Sequence, residues 1–204
     1  GWPEKNESLK TFYPTSYLVT GHDIIFFWVA RMIMMGLEFT KDVPFRKVYV
    51  HGLVRDSQGR KMSKSLNNSI DPVEMIEKYG ADALRFTLLS GLHSGKDSKF
   101  AEQKIEGYRN FMNKVWNATR FGLSHLQDLV VPPEGVHALP KKVDLSVYDQ
   151  WILYKLQLTT QKVDESLAAD RFADAAMALY HFVWNEFCDW YIEFSKPILS
   201  GAPS

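Results

Sequence analysis

With 204 residues, 46% of them hydrophobic and 14% aromatic, the chain carries the stock of a folded core, which excludes a disordered polymer. Its 24 Lys and Arg against 24 Asp and Glu leave no net charge, which excludes a uniformly basic nucleic-acid binder and makes any polyanion site a local one. The single cysteine, Cys188, excludes an internal disulfide and a multi-thiolate zinc site, and the six histidines are scattered singly, so no metal ligand set is expected.

In chain order, Tyr17-Leu18-Val19 predicts a short strand ending at Gly21. His22 to Leu37 predicts a helix that is apolar on nearly all faces and must therefore be buried. Its longest apolar run, Ile24 to Leu37, is 14 residues and is broken by Arg31. That falls short of the roughly 20 residues a membrane helix needs. No signal peptide precedes it, so a soluble, cytoplasmic protein is expected, with no membrane partner. Val48 to Val54 predicts a second strand, and the order strand, helix, strand implies a parallel pair with a crossover. Asp71-Pro72 caps the next helix, which ends at Gly80, and Ala81 to Leu89 predicts another. Pro132-Pro133-Glu134-Gly135 and Pro140-Lys141-Lys142 read as an exposed connection, with a boundary near residue 140. Beyond it, Ser146 and Asp149 are spaced as a capping box, and Ile152, Leu156, Val163 and Leu167 line one helical face. Phe172, Ala176, Leu179, Val183, Phe187, Trp190 and Phe194 line a second helix that stops before Pro197. Two antiparallel helices follow, with the aromatic stripe as their core.

The chemistry concentrates in Gly59-Arg60-Lys61-Met62-Ser63-Lys64-Ser65-Leu66-Asn67-Asn68. Between Arg46 and Lys64 six basic residues face one acid, Asp56, whereas from Asp144 to Glu193 three basic residues face nine acids. A glycine-hinged loop with cations and hydroxyls just beyond a strand's carboxyl end lies where open α/β sheets bind ligands. Two lysines three apart can reach two oxygens of one polyphosphate, with hydroxyls and backbone N–H groups filling the remaining lone pairs. For an arbitrary Lys-x-x-Lys, a solvated basic loop would be the better reading.

Lys61-Met62-Ser63-Lys64-Ser65 matches at every position the second signature of the class I aminoacyl-tRNA synthetases, and the chain resembles that family. Phe12 to Ser16, Thr20-Gly21, Asp23 to Met32, His51 to Asp56, Tyr79 to Phe86, Gly107 to Phe111 and Asn113 to Phe121 resemble its valyl branch, and the isoleucyl and leucyl branches share the lysine loop. The resemblance implies an α/β part followed by an all-α part. These would comprise the second half of a Rossmann-type parallel sheet over 1–70, a helical stem-contact region with linker over 71–140, and the start of an antiparallel anticodon-binding bundle over 141–204. It implies ATP-dependent activation of valine and transfer to tRNA(Val), with Mg²⁺ accompanying ATP.

By the same resemblance Lys61 and Lys64 would hold the β and γ phosphates, stabilising charge on the leaving pyrophosphate, with Ser63 and Ser65 supporting the loop. His51, Gly52, Leu53, Val54 and Met62 would border the adenine. Gly21 and Asp23 would meet the ribose, although Asp23 also suits an ordinary helix N-cap. Ile24 and Trp28 would wall the amino-acid pocket, although core residues would look the same. His22 is assigned no role beyond packing or capping. Leu66-Asn67 stands where many relatives carry Lys-Gly, which removes a cation and a flexible residue. No His-x-Gly-His signature occurs, so the chain reads as a fragment whose partner is the N-terminal part of the same enzyme and which is inactive alone. An isoleucyl or leucyl enzyme, or a non-catalytic tRNA-binding module, remains the alternative. The module would use Lys96, Lys99, Lys104, Arg109, Lys114 and Arg120, set against Asp97, Glu102 and Glu106.

Overall fold

The computed structural model describes residues 2–93, 95–126 and 145–200. The proline-rich connection and the boundary near residue 140 lie outside the described residues. The chain divides into two compact units, 1–70 with 91–101, and 71–90 with 102–204.

In the first unit α1 (Glu7–Phe12) leads to β1 (Thr15–Gly21), and β2 (Phe45–His51) pairs parallel to it with Gly21 opposite His51. The crossover between them is helical but not one regular helix. His22–Ile24 forms a 3₁₀ turn, Ile25–Val29 a π-helical turn, and Ala30–Thr40 the regular helix α2. The expected burial of this segment is not found. Phe26 is 76% exposed, and Ile25, Phe27, Met34, Met35 and Leu37 are exposed as well. Only Val29 and Gly36 along it are buried, because a two-stranded sheet offers the helix a single narrow face. Gly36 sits where a Cβ would stand 2.8 Å from Tyr13 Oη and 2.9 Å from Pro44 Cδ, so the close approach of α2 to the start of β2 needs a residue without a side chain. The second predicted strand ends at His51, and Val54–Arg55 is a separate strand, β3, paired parallel with β4 (Ser98–Lys99).

In the second unit α3 (Pro72–Tyr79) begins at an Asp71 cap whose side chain accepts from Val73 N, with Pro at its first turn and Gly80 at its end, as the sequence predicts. α4 (Ala81–Ser90) and α5 (Glu102–Ser124) follow, then α6 (Val147–Ala168) with the Ser146–Asp149 capping box in place. α7 (Phe172–His181) runs on through a π-helical stretch, Phe182–Tyr191, into α8 (Ile192–Leu199). Tyr191 Oη donates to Asp149 Oδ1 at 2.7 Å and Lys155 Nζ to Glu186 at 3.0 Å. The later residue of α6 thus meets the earlier residue of its partner, so the two run antiparallel.

Two details of these helices differ from expectation. The second helix does not stop before Pro197, which lies inside α8; so close to the helix end a proline forfeits only one late hydrogen bond. The buried face also matches the predicted stripes only in part, at Ile152 and Ala176. Leu179 and Trp190 are exposed, as are Leu156 and Leu167 on α6, while Ala173, Ala175, Ala176, Ala178 and Cys188 are buried. A π-helical turn takes more residues than an α-turn, so a stripe counted at 3.6 per turn drifts through Phe182–Tyr191 and misplaces Trp190, whereas Leu156, Leu167 and Leu179 lie on regular α-turns outside that stretch. The aromatic core instead joins Phe86 and Phe111 at 5.5 Å between centroids, Phe111 and Tyr180 at 4.7 Å, and Tyr180 and Trp184 at 5.6 Å.

Candidate functional site

The site is built where β1 and β2 end side by side. A Cβ on Gly21 would stand 2.8 Å from Asp23 Oδ1, 3.3 Å from Leu53 Cδ2 and 3.7 Å from His51 Cε1, so these four sequence-predicted residues converge. His51 Nδ1 lies 2.8 Å from Gly52 O. Gly52 is demanded by packing: a Cβ there would stand 1.8 Å from the backbone oxygen of Lys96. The strand end therefore lies directly against the 95–97 backbone.

That segment supplies a residue which sequence reasoning counted only among the acids offsetting a cationic helix face. Asp97 accepts from Leu53 N at 2.7 Å and Arg55 Nε at 2.5 Å, and its Oδ1 lies 3.1 Å from His22 Nε2. The Leu53 amide foremost, then Arg55 and His22, lower its carboxyl to about 2. His22, to which no catalytic part was given, joins this cluster through its ring. No local pattern foretold the pairing, because Asp97 lies 75 residues from His22 and 42 from Arg55.

The lysine loop leaves β3 and touches it again through a bridge between Arg55 and Lys61. Lys61 Nζ reaches Asp23 Oδ2 at 3.1 Å, and that hydrogen bond holds the Asp23 carboxyl below its usual range. Both side chains remain substantially exposed, so solvent screens the pair. Lys64 is exposed, and its ammonium has no ion pair among the described residues. Ser63 caps the 3₁₀ turn Lys64–Leu66 by accepting from Leu66 N at 3.2 Å, and Ser63 Oγ lies 3.1 Å from Ser65 Oγ. Met62 is half-buried and Val54 is 37% exposed. Asn67 takes φ 49°, a left-handed conformation that asparagine tolerates better than most residues and glycine adopts freely. Asparagine in place of glycine is therefore compatible with this turn.

Ile24 and Trp28 are brought to the same crossover but not as expected. Ile24 ends the 3₁₀ turn with φ −112° and ψ 10°, outside α-helical geometry, and Trp28 sits in the π-helical turn and is 62% exposed. A spacing of four therefore does not set them on one α-helical face. Of the six cations assigned to a tRNA-contacting surface, Lys114 is spent internally, paired with Asp189 and lying over the Trp184 ring. Lys104, Arg109 and Arg120 are exposed on α5. Among the described residues no group of three His, Cys, Asp or Glu could hold a metal ion, and no helix is long and apolar enough to cross a membrane.

Residues 1–101 match the model of class I tRNA synthetases (I, L, M and V), and residues 149–204 match the anticodon-binding domain of tRNA ligases. The chain is 74% identical over 98% of its length to a valine–tRNA ligase of Bdellovibrio bacteriovorus and 56% identical over 96% to that of Geobacter sulfurreducens. It spans 22% of each of those proteins. A methionyl-tRNA synthetase of Mycobacterium tuberculosis in complex with methionyl-adenylate is similar in fold, with TM-score 0.78 at 23% identity over the whole chain and 39% of that structure. A leucyl enzyme of Agrobacterium radiobacter in a ternary complex gives TM-score 0.71 at 23% identity over 93% of the chain and 24% of that structure.

Proposed function

From the membership of this chain in the class I tRNA synthetases, we propose that it is the part of a valine–tRNA ligase carrying the lysine loop and the first helices of the anticodon-binding domain. Residues 1–70 belong to the second half of a Rossmann-type nucleotide domain, 71–140 to a helical stem-contact region with its linker, and 141–204 to the start of the anticodon-binding bundle. The complete protein joins valine to ATP with release of pyrophosphate, then passes the valyl group to tRNA(Val), supplying translation in the cytoplasm.

The observation that carries this reading is the placement of Lys61 and Lys64 on a braced loop beyond the carboxyl ends of a parallel pair, with the Lys64 ammonium left unpaired among the described residues. An ammonium group without a partner can meet charge that grows on a leaving pyrophosphate without first breaking an ion pair. Lys61 exchanges Asp23 for phosphate, and the freed Asp23 carboxylate accepts the ribose hydroxyls beside Gly21. Ser63 and Ser65 support the loop. His51, Gly52, Leu53, Val54 and Met62 border the adenine, and Ile24 and Trp28 meet the valine side chain. Mg²⁺ accompanies ATP, offsetting charge on its phosphates.

The test is ATP–pyrophosphate exchange by the complete protein, with valine, isoleucine, leucine and methionine compared. Valine-dependent exchange is expected, and Lys64→Ala should slow it by about 10² or more, as removal of one transition-state donor does. Exchange driven by another amino acid, or a Lys64→Ala rate within about threefold of the parent, overturns the reading.

A further inference from the structure

We propose that Asp56 and Asn68 form a latch at the base of the lysine loop, acting as positioning residues that set where Lys61 and Lys64 stand. The role rests on the reading of that loop as the pyrophosphate site, but the latch itself is a matter of geometry. The loop bears like charges three residues apart, which repel, and its only bridge to a strand among the described residues is Arg55 with Lys61. Among the described residues, backbone hydrogen bonds close its entry turn (Asp56 N to Arg60 O at 3.0 Å, Gly59 N to Asp56 O at 2.9 Å) and its exit turn (Asn67 N to Lys64 O at 3.2 Å), and side chains must tie the two together.

Asp56 is 6% exposed and gathers the turn at the loop's entry. Its Oδ1 accepts from Gln58 N at 3.0 Å and Arg60 N at 2.7 Å, while Oδ2 accepts from Arg60 Nε at 2.8 Å and Asn68 Nδ2 at 2.9 Å. These contacts, that of Asn68 foremost, hold its carboxyl far below the usual range. Asn68 closes the exit. Its Nδ2 also donates to Lys61 O at 3.2 Å, and its Oδ1 accepts from Ser63 N at 2.8 Å. The amide orientation is fixed by its partners: an ionised carboxylate only accepts and a backbone N–H only donates. One amide group thus grips the loop on both sides of Met62 and ties both points to the carboxylate at its entry. Lys64 follows at once, in the turn capped by Ser63, whose own N–H the latch holds. Asn67 at φ 49° reverses the chain so that Asn68 faces back into the loop.

The latch predicts a defect confined to the step that uses the loop. In the complete protein, Asn68→Asp keeps the acceptor for Ser63 N but sets a second carboxylate against Asp56. Valine-dependent ATP–pyrophosphate exchange should fall about tenfold or more from misplaced lysines. Single-turnover transfer from preformed valyl-adenylate to tRNA, which does not use the loop, should stay within about twofold. The swapped pair Asp56→Asn with Asn68→Asp, which restores an amide facing a carboxylate, should recover part of the exchange rate. With Asn68→Ala, hydrogen exchange of the amides in 56–68 should quicken about tenfold or more while those of β1 and β2 keep their protection.

Equal slowing of both steps would mark a general scaffold residue and overturn the proposal, as would unchanged pyrophosphate exchange or unchanged amide protection of the loop. A parent protein without amino-acid-dependent exchange would overturn the functional reading instead. The latch would then stand or fall on the amide protection alone.

Discussion

At the residue scale the site is a set of exchanges between charges, and Asp97 shows how much one carboxylate can organise. It joins the amide of Leu53, the guanidinium of Arg55 and the ring of His22. Because these partners hold its folded carboxyl at about 2, below the unfolded value, ionised Asp97 favours the folded state at neutral pH. The contribution is fully present above the ordinary carboxylate range and is lost as pH falls through it toward 2. Thermal melts of the first unit between pH 6 and pH 2 should therefore show acid destabilisation that Asp97→Asn reduces. Parallel pH profiles for parent and variant would refute this. The lysine loop was legible in the sequence because its chemistry is contiguous. Asp97 and His22 were not, because the signal that unites them is the approach of the 95–97 backbone to Gly52, and nothing local announces that approach.

At the scale of elements, legibility follows how local the governing interaction is. The Asp71 cap, Pro72, Gly80 and the Ser146–Asp149 box were all readable, since each satisfies helix-end groups within one turn. The parallel strand, helix, strand order was readable for a similar reason, periodicity changing between neighbouring segments. The π-helical turns at Ile25–Val29 and Phe182–Tyr191 were not, because an α-period count has no place for the extra residue that packing inserts. A consequence is that the start of α6 can be weakened without touching its core. Ser146→Ala removes the side chain that accepts from Asp149 N and should cost about 1 kcal/mol. The melting temperature of the second unit reports it, and an unchanged transition would mean that Tyr191, which also holds Asp149, suffices to fix the helix start.

At the scale of the whole molecule the two units differ in how far each satisfies its own apolar surface. The second has a contiguous aromatic core through Phe86, Phe111, Tyr180 and Trp184, and it also buries Ile105 fully and a run of alanines on α7. The first rests on a pair of short two-stranded sheets and leaves Ile25, Phe26, Phe27, Trp28, Met34 and Met35 exposed. Two-stranded sheets are marginal in water without a large apolar partner, and an apolar patch of this kind marks a surface that another part covers. The 204-residue chain, which spans 22% of each of the two valine–tRNA ligases named above, should therefore unfold in two steps when studied alone. Amides of β1 and β2 should exchange with solvent before those of α5, α6 and α7, and a hydrophobic dye should bind at temperatures where the second unit is still intact. In the complete valine–tRNA ligase proposed here, dye binding should disappear and the strand amides gain protection. A single cooperative transition of the isolated chain, with strands and helices exchanging together, would show that the first unit stabilises itself despite its exposed crossover.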